Sequence, residues 1–150
     1  MAAKWIDPTQ ATTYDSLCEI YNHEFQKHGI CYNAFGDNWE KSAVNYFQAT
    51  LNVAGKLDSA TNQINKWAAT TKTTTVTAIK ALYSKSVQVL CSNVDGTNQF
   101  SAIRSCFAKP TVRNSYGPFT QIDCAAASKS SAFIPCDESA PVTLNGYVAP

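Results

Sequence analysis

Apolar residues in the first half of the chain recur at the spacing of amphipathic helices. Within residues 14–26 they stand three or four positions apart, which predicts a helix that ends at Gly29. Its apolar positions are Leu17, Ile20, Tyr21 and Phe25. The same period predicts helices at 39–54, at 56–69 and, after a threonine-rich loop, from Val76 to Tyr83. In the second helix the expected buried stripe is Val44, Phe47, Leu51 and Ala54.

Beyond residue 85 the period changes from that of a helix to that of a strand. Val87, Val89 and Cys91 alternate with polar Gln88, and apolar Leu90 breaks the alternation, which predicts a largely buried strand. Asp95-Gly96 predicts a hairpin turn into a partner strand at 99–107. Further strands are predicted at 119–124 and 142–148. The order of elements indicates an α+β fold, with helices first and an antiparallel sheet after them.

The composition is that of one domain spanning residues 1–150. Of its 150 residues, 45% are hydrophobic and 11% aromatic, which is enough to bury a core. The formal net charge is +1, so no overall field attracts nucleic acid, and any RNA contact must be local to a groove. No apolar run reaches the length of a transmembrane helix. We therefore expect a monomer with no membrane partner.

The number of cysteines indicates the kind of cellular compartment in which the protein folds. Six cysteines in a chain of this size indicate an oxidising environment and a disulfide framework, but they allow fifteen pairings, between which the sequence alone does not choose. Residues 1–8 lack the apolar core of a secretory signal peptide. We interpret the chain as part of a longer secreted or lumenal (lysosomal or vacuolar) protein whose signal peptide is not among these residues.

The residues that could carry chemistry are concentrated in one string, His23-Glu24-Phe25-Gln26-Lys27-His28-Gly29-Ile30-Cys31. It holds both histidines of the chain, although charged residues make up only 15% of the sequence. Glu24 and His28 stand four positions apart, as do His23 and Lys27, so on a regular helix both pairs are in side-chain contact. The helix end would then present an acid, a base and a cation together.

The residue pattern leaves two interpretations of this string open and disfavours a third. A zinc-protease helix has its histidines four apart, whereas His23 and His28 are five apart and about 140° round a regular helix, so we expect no metal site and no cofactor. An imidazole beside a lysine and a carboxylate suits proton transfer at an anionic substrate. The alternative without a catalytic role is a solvated helix end, at which the cations Lys27 and His28 interact favourably with the helix macrodipole.

The string closely resembles the second active-site segment of the ribonuclease T2 family, usually written H-E-[WF]-x-K-H-G-T-C. Phe25 fits the aromatic position, and Ile30 is the one departure, where threonine is usual. Less specific similarity continues over most of residues 14–136. It lies at Tyr46-Phe47, Cys91, Ile103-Arg104-Ser105-Cys106, Ile122-Asp123-Cys124 and Ile134-Pro135-Cys136. The resemblance implies a T2-like α+β domain with N-terminal helices packed on an antiparallel sheet.

The resemblance also implies a role for four polar residues of the string. His28 would be one of the two acid/base histidines of the reaction. Glu24 and Lys27 would stabilise the pentacovalent phosphorane, and His23 would contact phosphate. The implied activity is secreted, metal-independent endoribonuclease cleavage of single-stranded RNA by transphosphorylation through a 2′,3′-cyclic phosphate.

Base recognition and the disulfides are implied in the same way. The aromatic pair that stacks the second base in the family is matched in part by Ile20-Tyr21. The implied disulfides are Cys18 with Cys31, Cys91 with Cys136, and Cys106 with Cys124.

The sequence departs from the family in one important respect. Family members carry their other acid/base histidine in an earlier segment, H-G-L-W-P, which these 150 residues do not contain. We therefore expect the N-terminal strands to be missing and the chain alone to be weak or inactive, with a missing N-terminal segment of the same protein as its natural complement. The alternative is a non-catalytic, disulfide-rich secreted protein, derived from that fold, that binds RNA or another protein.

Overall fold

The computed structural model describes residues 21–29, 38–92, 98–108, 119–126 and 133–145. The chain divides into two compact units, which are described separately. The first unit comprises Met1–Lys56, Lys109–Phe119 and Val148–Pro150. The second comprises Leu57–Ala108 and Thr120–Tyr147.

Two helices form the described core of the first unit. Helix α1 is α-helical at residues 21–24 and continues as a π-helix over Phe25–Gly29, while α2 spans Trp39–Lys56. Phe25 and Phe47 are 3% and 8% exposed and pack together. The partly buried Tyr21, Ala43 and Tyr46 surround them. Burial of this aromatic cluster fixes the end of α1 against α2.

The second unit begins with two further helices, α3 (Asp58–Thr70) and α4 (Val76–Lys80). Thr75 caps α4, since its side-chain oxygen accepts a hydrogen bond from the Ala78 amide at 3.1 Å. The predicted cap of a short helix is thus confirmed, but the threonine-rich stretch is not wholly a loop, since Thr73–Thr74 form a strand, and α4 ends three residues before Tyr83.

An antiparallel sheet forms the centre of the second unit. Its strands are β2 (Gln88–Ser92), β3 (Phe100–Arg104) and β6 (Phe133–Pro135), in the order β3-β2-β6. Two smaller antiparallel pairs join β1 (Thr73–Thr74) to β7 (Val142–Thr143) and β4 (Cys106–Phe107) to β5 (Gln121–Ile122). The interior of β2 is buried, and its Val89 and Cys91 belong to one apolar cluster with Ile64, Val76, Ile79, Val142 and Leu144.

Two disulfides cross-link the strands of this unit. Cys91 in β2 bonds Cys136, which follows β6, and Cys106 in β4 bonds Cys124, which follows β5. These are two of the pairs that the family resemblance implies. The third implied pair, Cys18 with Cys31, lies outside the described residues, as does the predicted Asp95-Gly96 turn.

The predicted α+β class and antiparallel sheet are confirmed, with differences in detail. The helices predicted at 39–54 and 56–69 are present as α2 and α3. The strand predicted at 99–107 is divided at Ser105 into β3 and β4, and the one predicted at 119–124 is reduced to β5. The buried stripe predicted for α2 is wrong at Val44, which is 64% exposed, whereas Ser42 and Asn45 are 2% and 1% exposed.

Candidate functional site

The site lies on the last turn of α1, which is wider than an α-helical turn. In a π-helix the backbone hydrogen bonds join residues five apart instead of four. The aromatic ring of Phe25 and the backbone of Gly29 are both buried on the inner side of this turn. A Cβ atom at Gly29 would overlap Cδ2 of Phe25 and lie 2.8 Å from its Cε2. Glycine at this position therefore makes room for the buried ring.

The outer side of the same turn carries the polar residues of the string. His23, Gln26, Lys27 and His28 are exposed, and Glu24 is partly buried. Apolar contacts on the inner side thus fix the turn while the polar side chains remain accessible to a ligand in solution.

Two distances define the geometry of these polar groups. His28 Nε2 lies 4.0 Å from Glu24 Oε2, with side-chain exposures of 60% and 31%. The ring centroids of His23 and His28 are 6.0 Å apart, with the ring planes at 66°. An exposed pair at 4.0 Å adds little to stability, so this pair does not hold the turn in place.

The premise that the two histidines stand on a regular helix is wrong. Because the wide turn lies between them, a separation of five residues corresponds to about one turn, and both rings face the same side. One ligand atom from each of His23, Glu24 and His28 lies within 4.8 Å of the others. The turn therefore brings two imidazoles and a carboxylate together.

Tyr46 of α2 borders this group, and no role was predicted for it. Burial raises the pKa of its phenol, and the nearby negative charge of Glu24 raises that pKa further, while a hydrogen bond with Thr50 lowers it. The Tyr46 ring also packs against Phe25, with centroids 5.8 Å apart. Tyr46 thus lies beside the carboxylate and supports the turn, and the Tyr46-Phe47 pair in the sequence is its only signal.

Comparison with models of protein families shows which family the chain belongs to. The model of the ribonuclease T2 family matches residues 1–130, a range that includes α1 and the whole string from His23 to Cys31. The chain belongs to the ribonuclease T2 family. No curated protein and no solved structure gives a significant match.

Membership in the ribonuclease T2 family indicates ribonuclease-type function and RNA as the substrate class. Members of the family are typically secreted or lysosomal. Among the described residues, no helix has both the length and the apolar character needed to cross a bilayer.

The other residues predicted for the site have different outcomes. Tyr21, predicted to stack a base, is partly exposed, and its ring packs edge-on against Phe47 at 5.6 Å. Its contact with a base stays a prediction. Ile20, Ile30 and Cys31 lie outside the described residues.

A cavity of about 650 Å³ in the second unit has a lining that shares no residue with the string. The charged residues of its lining are Lys80, Lys85, Asp123 and Glu138. Lys80 and Glu138 neutralise each other in an ion pair, and the Asp123 carboxylate accepts a hydrogen bond from the Ser86 amide at 2.8 Å. Three of these four charged residues, Lys80, Asp123 and Glu138, thus have partners within the second unit itself.

The requirement for glycine at position 29 is testable by substitution. Gly29→Ala forces the added methyl against the buried Phe25 ring, so we expect a loss of about 1–3 kcal/mol in the free energy of unfolding, the usual cost of overpacking. Gly55→Ala is the matched control, because a Cβ at this helical glycine meets nothing within 4 Å. It should stabilise by about 0.5–1 kcal/mol. Urea unfolding measures both, and equal effects would show that the Phe25 contact is not limiting.

Proposed function

We propose that this chain is an endoribonuclease that cleaves single-stranded RNA by transphosphorylation, without a metal cofactor. The ribose 2′-OH attacks phosphorus, the bond to the 5′-oxygen breaks, and the products are a 2′,3′-cyclic phosphate and a free 5′-OH. One group must remove the 2′-OH proton and one must supply a proton to the leaving oxygen.

The polar side chains grouped on α1 suit proton transfer and phosphate binding in this reaction. His28 is the acid/base group, because its imidazole is well exposed and lies 4.0 Å from the Glu24 carboxylate. Lys27 is exposed on the same turn and stabilises negative charge on the phosphorane, while the Glu24 carboxylate orients the His28 imidazole beside it. His23, whose ring centroid lies 6.0 Å from that of His28, contacts a phosphate oxygen. The observation that carries the proposal is this grouping on the wide turn, within the range that the family model matches.

The expected rate is low for these 150 residues alone. They contain two histidines, and only His28 has the acid/base role by resemblance. A missing acid/base group costs about 10²–10⁴ in rate, so turnover should be slower by that factor than in a ribonuclease with both histidines.

The same observation favours a second candidate, a non-catalytic protein that binds RNA or another protein. Phosphate binding needs the cation and donors of the turn, but not a second proton-transfer group. On this alternative, RNA affinity would depend on Lys27 and no cyclic phosphate would form.

Compartment, organisation and partners complete the proposal. Two disulfides support a secreted or lumenal location, where such bonds persist. We further propose that the 150 residues act as one ribonuclease T2-like domain and as a monomer, with RNA as the partner.

A substrate with a single cleavable position tests the chemistry. A deoxyoligonucleotide that contains one ribonucleotide is incubated with the chain in EDTA, and mass spectrometry identifies the products. We expect slow cleavage at the ribonucleotide, a 2′,3′-cyclic phosphate, and no cleavage of the all-deoxy control. The Glu24→Gln variant, purified in parallel, excludes contaminating ribonuclease. Lys27-dependent binding without cyclic phosphate above the Glu24→Gln background would favour the second candidate, and cleavage of the all-deoxy control would refute the proposal.

A further inference from the structure

We propose that His23, Glu24 and His28 form a binding site for a borderline transition-metal ion of the Zn²⁺ or Cu²⁺ type. The site is on the solvent side of the last turn of α1. The inference concerns ion binding by the free chain and does not depend on nuclease activity.

The three side chains offer a suitable set of ligands. Two histidines and one glutamate provide two imidazole nitrogens and a carboxylate oxygen, a set that holds zinc in many proteins. Their ligand atoms lie within 4.8 Å of one another, and His28 Nε2 is 4.0 Å from Glu24 Oε2. A tetrahedral ion with bonds of about 2.0–2.1 Å needs ligand atoms about 3.3 Å apart. Closing the remaining gap takes roughly 1 Å for each pair.

Small rotations of exposed side chains can supply that movement. The His23 and His28 rings are exposed, so rotation about their side-chain bonds displaces no core residue. Glu24 is only partly buried and borders the same open surface. The site therefore needs side-chain adjustment without movement of the backbone.

The backbone geometry that makes the site is the π-helix itself. On a regular helix, residues five apart lie about 140° from each other, and one ion could not reach both imidazoles. The wide turn at Phe25–Gly29 places the two rings 6.0 Å apart on one side. Phe25 and Gly29, buried beneath it, hold the turn in this form. The ligand set is thus fixed by packing on the opposite side of the helix.

Ligand chemistry predicts the selectivity. Imidazole prefers Zn²⁺ and Cu²⁺, and Cu²⁺ should bind more tightly by the Irving–Williams order. Mg²⁺ and Ca²⁺ prefer sets made wholly of oxygen ligands and should not bind measurably. Three protein ligands leave a fourth position for water or for an oxygen of another anion. If the proposed function holds, the ion and an RNA phosphate compete for the same side chains, and Zn²⁺ inhibits cleavage.

Calorimetric titration of the free chain with ZnCl₂ tests the site without RNA. The protein is stripped with EDTA and shown to have no free thiols, because reduced cysteines would bind zinc themselves. We expect one Zn²⁺ per chain and no heat with MgCl₂. His23→Ala, His28→Ala and Glu24→Gln should each weaken binding by roughly tenfold or more, since loss of a ligand costs at least as much as loss of an outer-shell partner.

A control substitution at another carboxylate and an NMR measurement complete the test. Glu138 is exposed in the second unit, so Glu138→Gln removes one carboxylate without touching the site and should leave Zn²⁺ affinity unchanged. The chain has only two histidines, so both imidazole signals in an NMR spectrum should shift together on addition of Zn²⁺. Absence of stoichiometric binding would overturn the proposal. Affinity that survives all three substitutions, or a shift of one imidazole only, would overturn it as well.

Discussion

Replacing His28 by alanine should lower the rate of 2′,3′-cyclic phosphate formation by about 10²–10⁴-fold. The imidazole is 60% exposed and makes no core contact, so its removal should leave the fold intact. Glu24 remains in place without the imidazole beside it. Single-turnover assays on the one-ribonucleotide substrate, with long incubation, measure the loss. The proton-transfer role also predicts that free imidazole in the buffer partly restores the rate of the variant.

His23→Ala is the matched control for this prediction. Both histidines are exposed on the same side of α1, with ring centroids 6.0 Å apart, so the two substitutions remove the same group from nearly the same place. Loss of a phosphate contact should mainly raise KM, whereas loss of the acid/base group should mainly lower kcat. Equal losses in kcat, with no rescue of His28→Ala by imidazole, would contradict the assignment of proton transfer to His28.

The helices of this chain could be predicted from sequence because their apolar period is strong. The residues that α2 buries could be predicted only in part, with Phe47 correct. Val44 is 64% exposed, while Ser42 and Asn45 are buried in its place. Ser42 can be buried because its hydroxyl donates a hydrogen bond to the Asn38 carbonyl at 2.9 Å. A count of apolar positions cannot predict that a serine is buried because its hydroxyl donates to the carbonyl of the residue before its helix.

The wide turn of α1 could not be predicted from the spacing of apolar residues. A pattern of 3.6 residues per turn assumes a regular helix, and this assumption placed His23 and His28 on different sides. In this turn the Phe25 ring occupies the space that a side chain at Gly29, four positions later, would need. The identity of the polar residues was readable from the string, but their relative positions depend on how Phe25 packs.

Disulfide pairing shows a different limit. Sequence arithmetic left fifteen possibilities, because pairing depends on which strands become neighbours. Antiparallel pairing of β2 with β6 places Cys91 opposite Ile134, two residues before Cys136. That contact is long-range, and only the family resemblance indicated it in advance.

Removing the Cys91–Cys136 disulfide should cost about 4 kcal/mol of the free energy of unfolding. The two residues are 45 positions apart, and the loop-closure entropy restored to the unfolded chain grows with that separation. Both sulfurs are buried in the core of the second unit, with the residues 1% and 6% exposed, so a Cys91→Ala, Cys136→Ala double variant also loses packing there. In thermal unfolding, a loss of 4 kcal/mol corresponds to a fall of about 8–16 °C in Tm.

The second disulfide provides the comparison that separates these causes. Cys106 and Cys124 are 18 positions apart and only partly buried, so their double alanine variant should cost about 3 kcal/mol. Loop length and burial both make the Cys91–Cys136 bond the more important one, and its removal should lower stability by at least about 1 kcal/mol more. Urea unfolding of the two variants against the parent chain measures the difference. The reverse order would mean that cross-linking of β4 to β5, not of β2 to β6, limits the stability of the second unit.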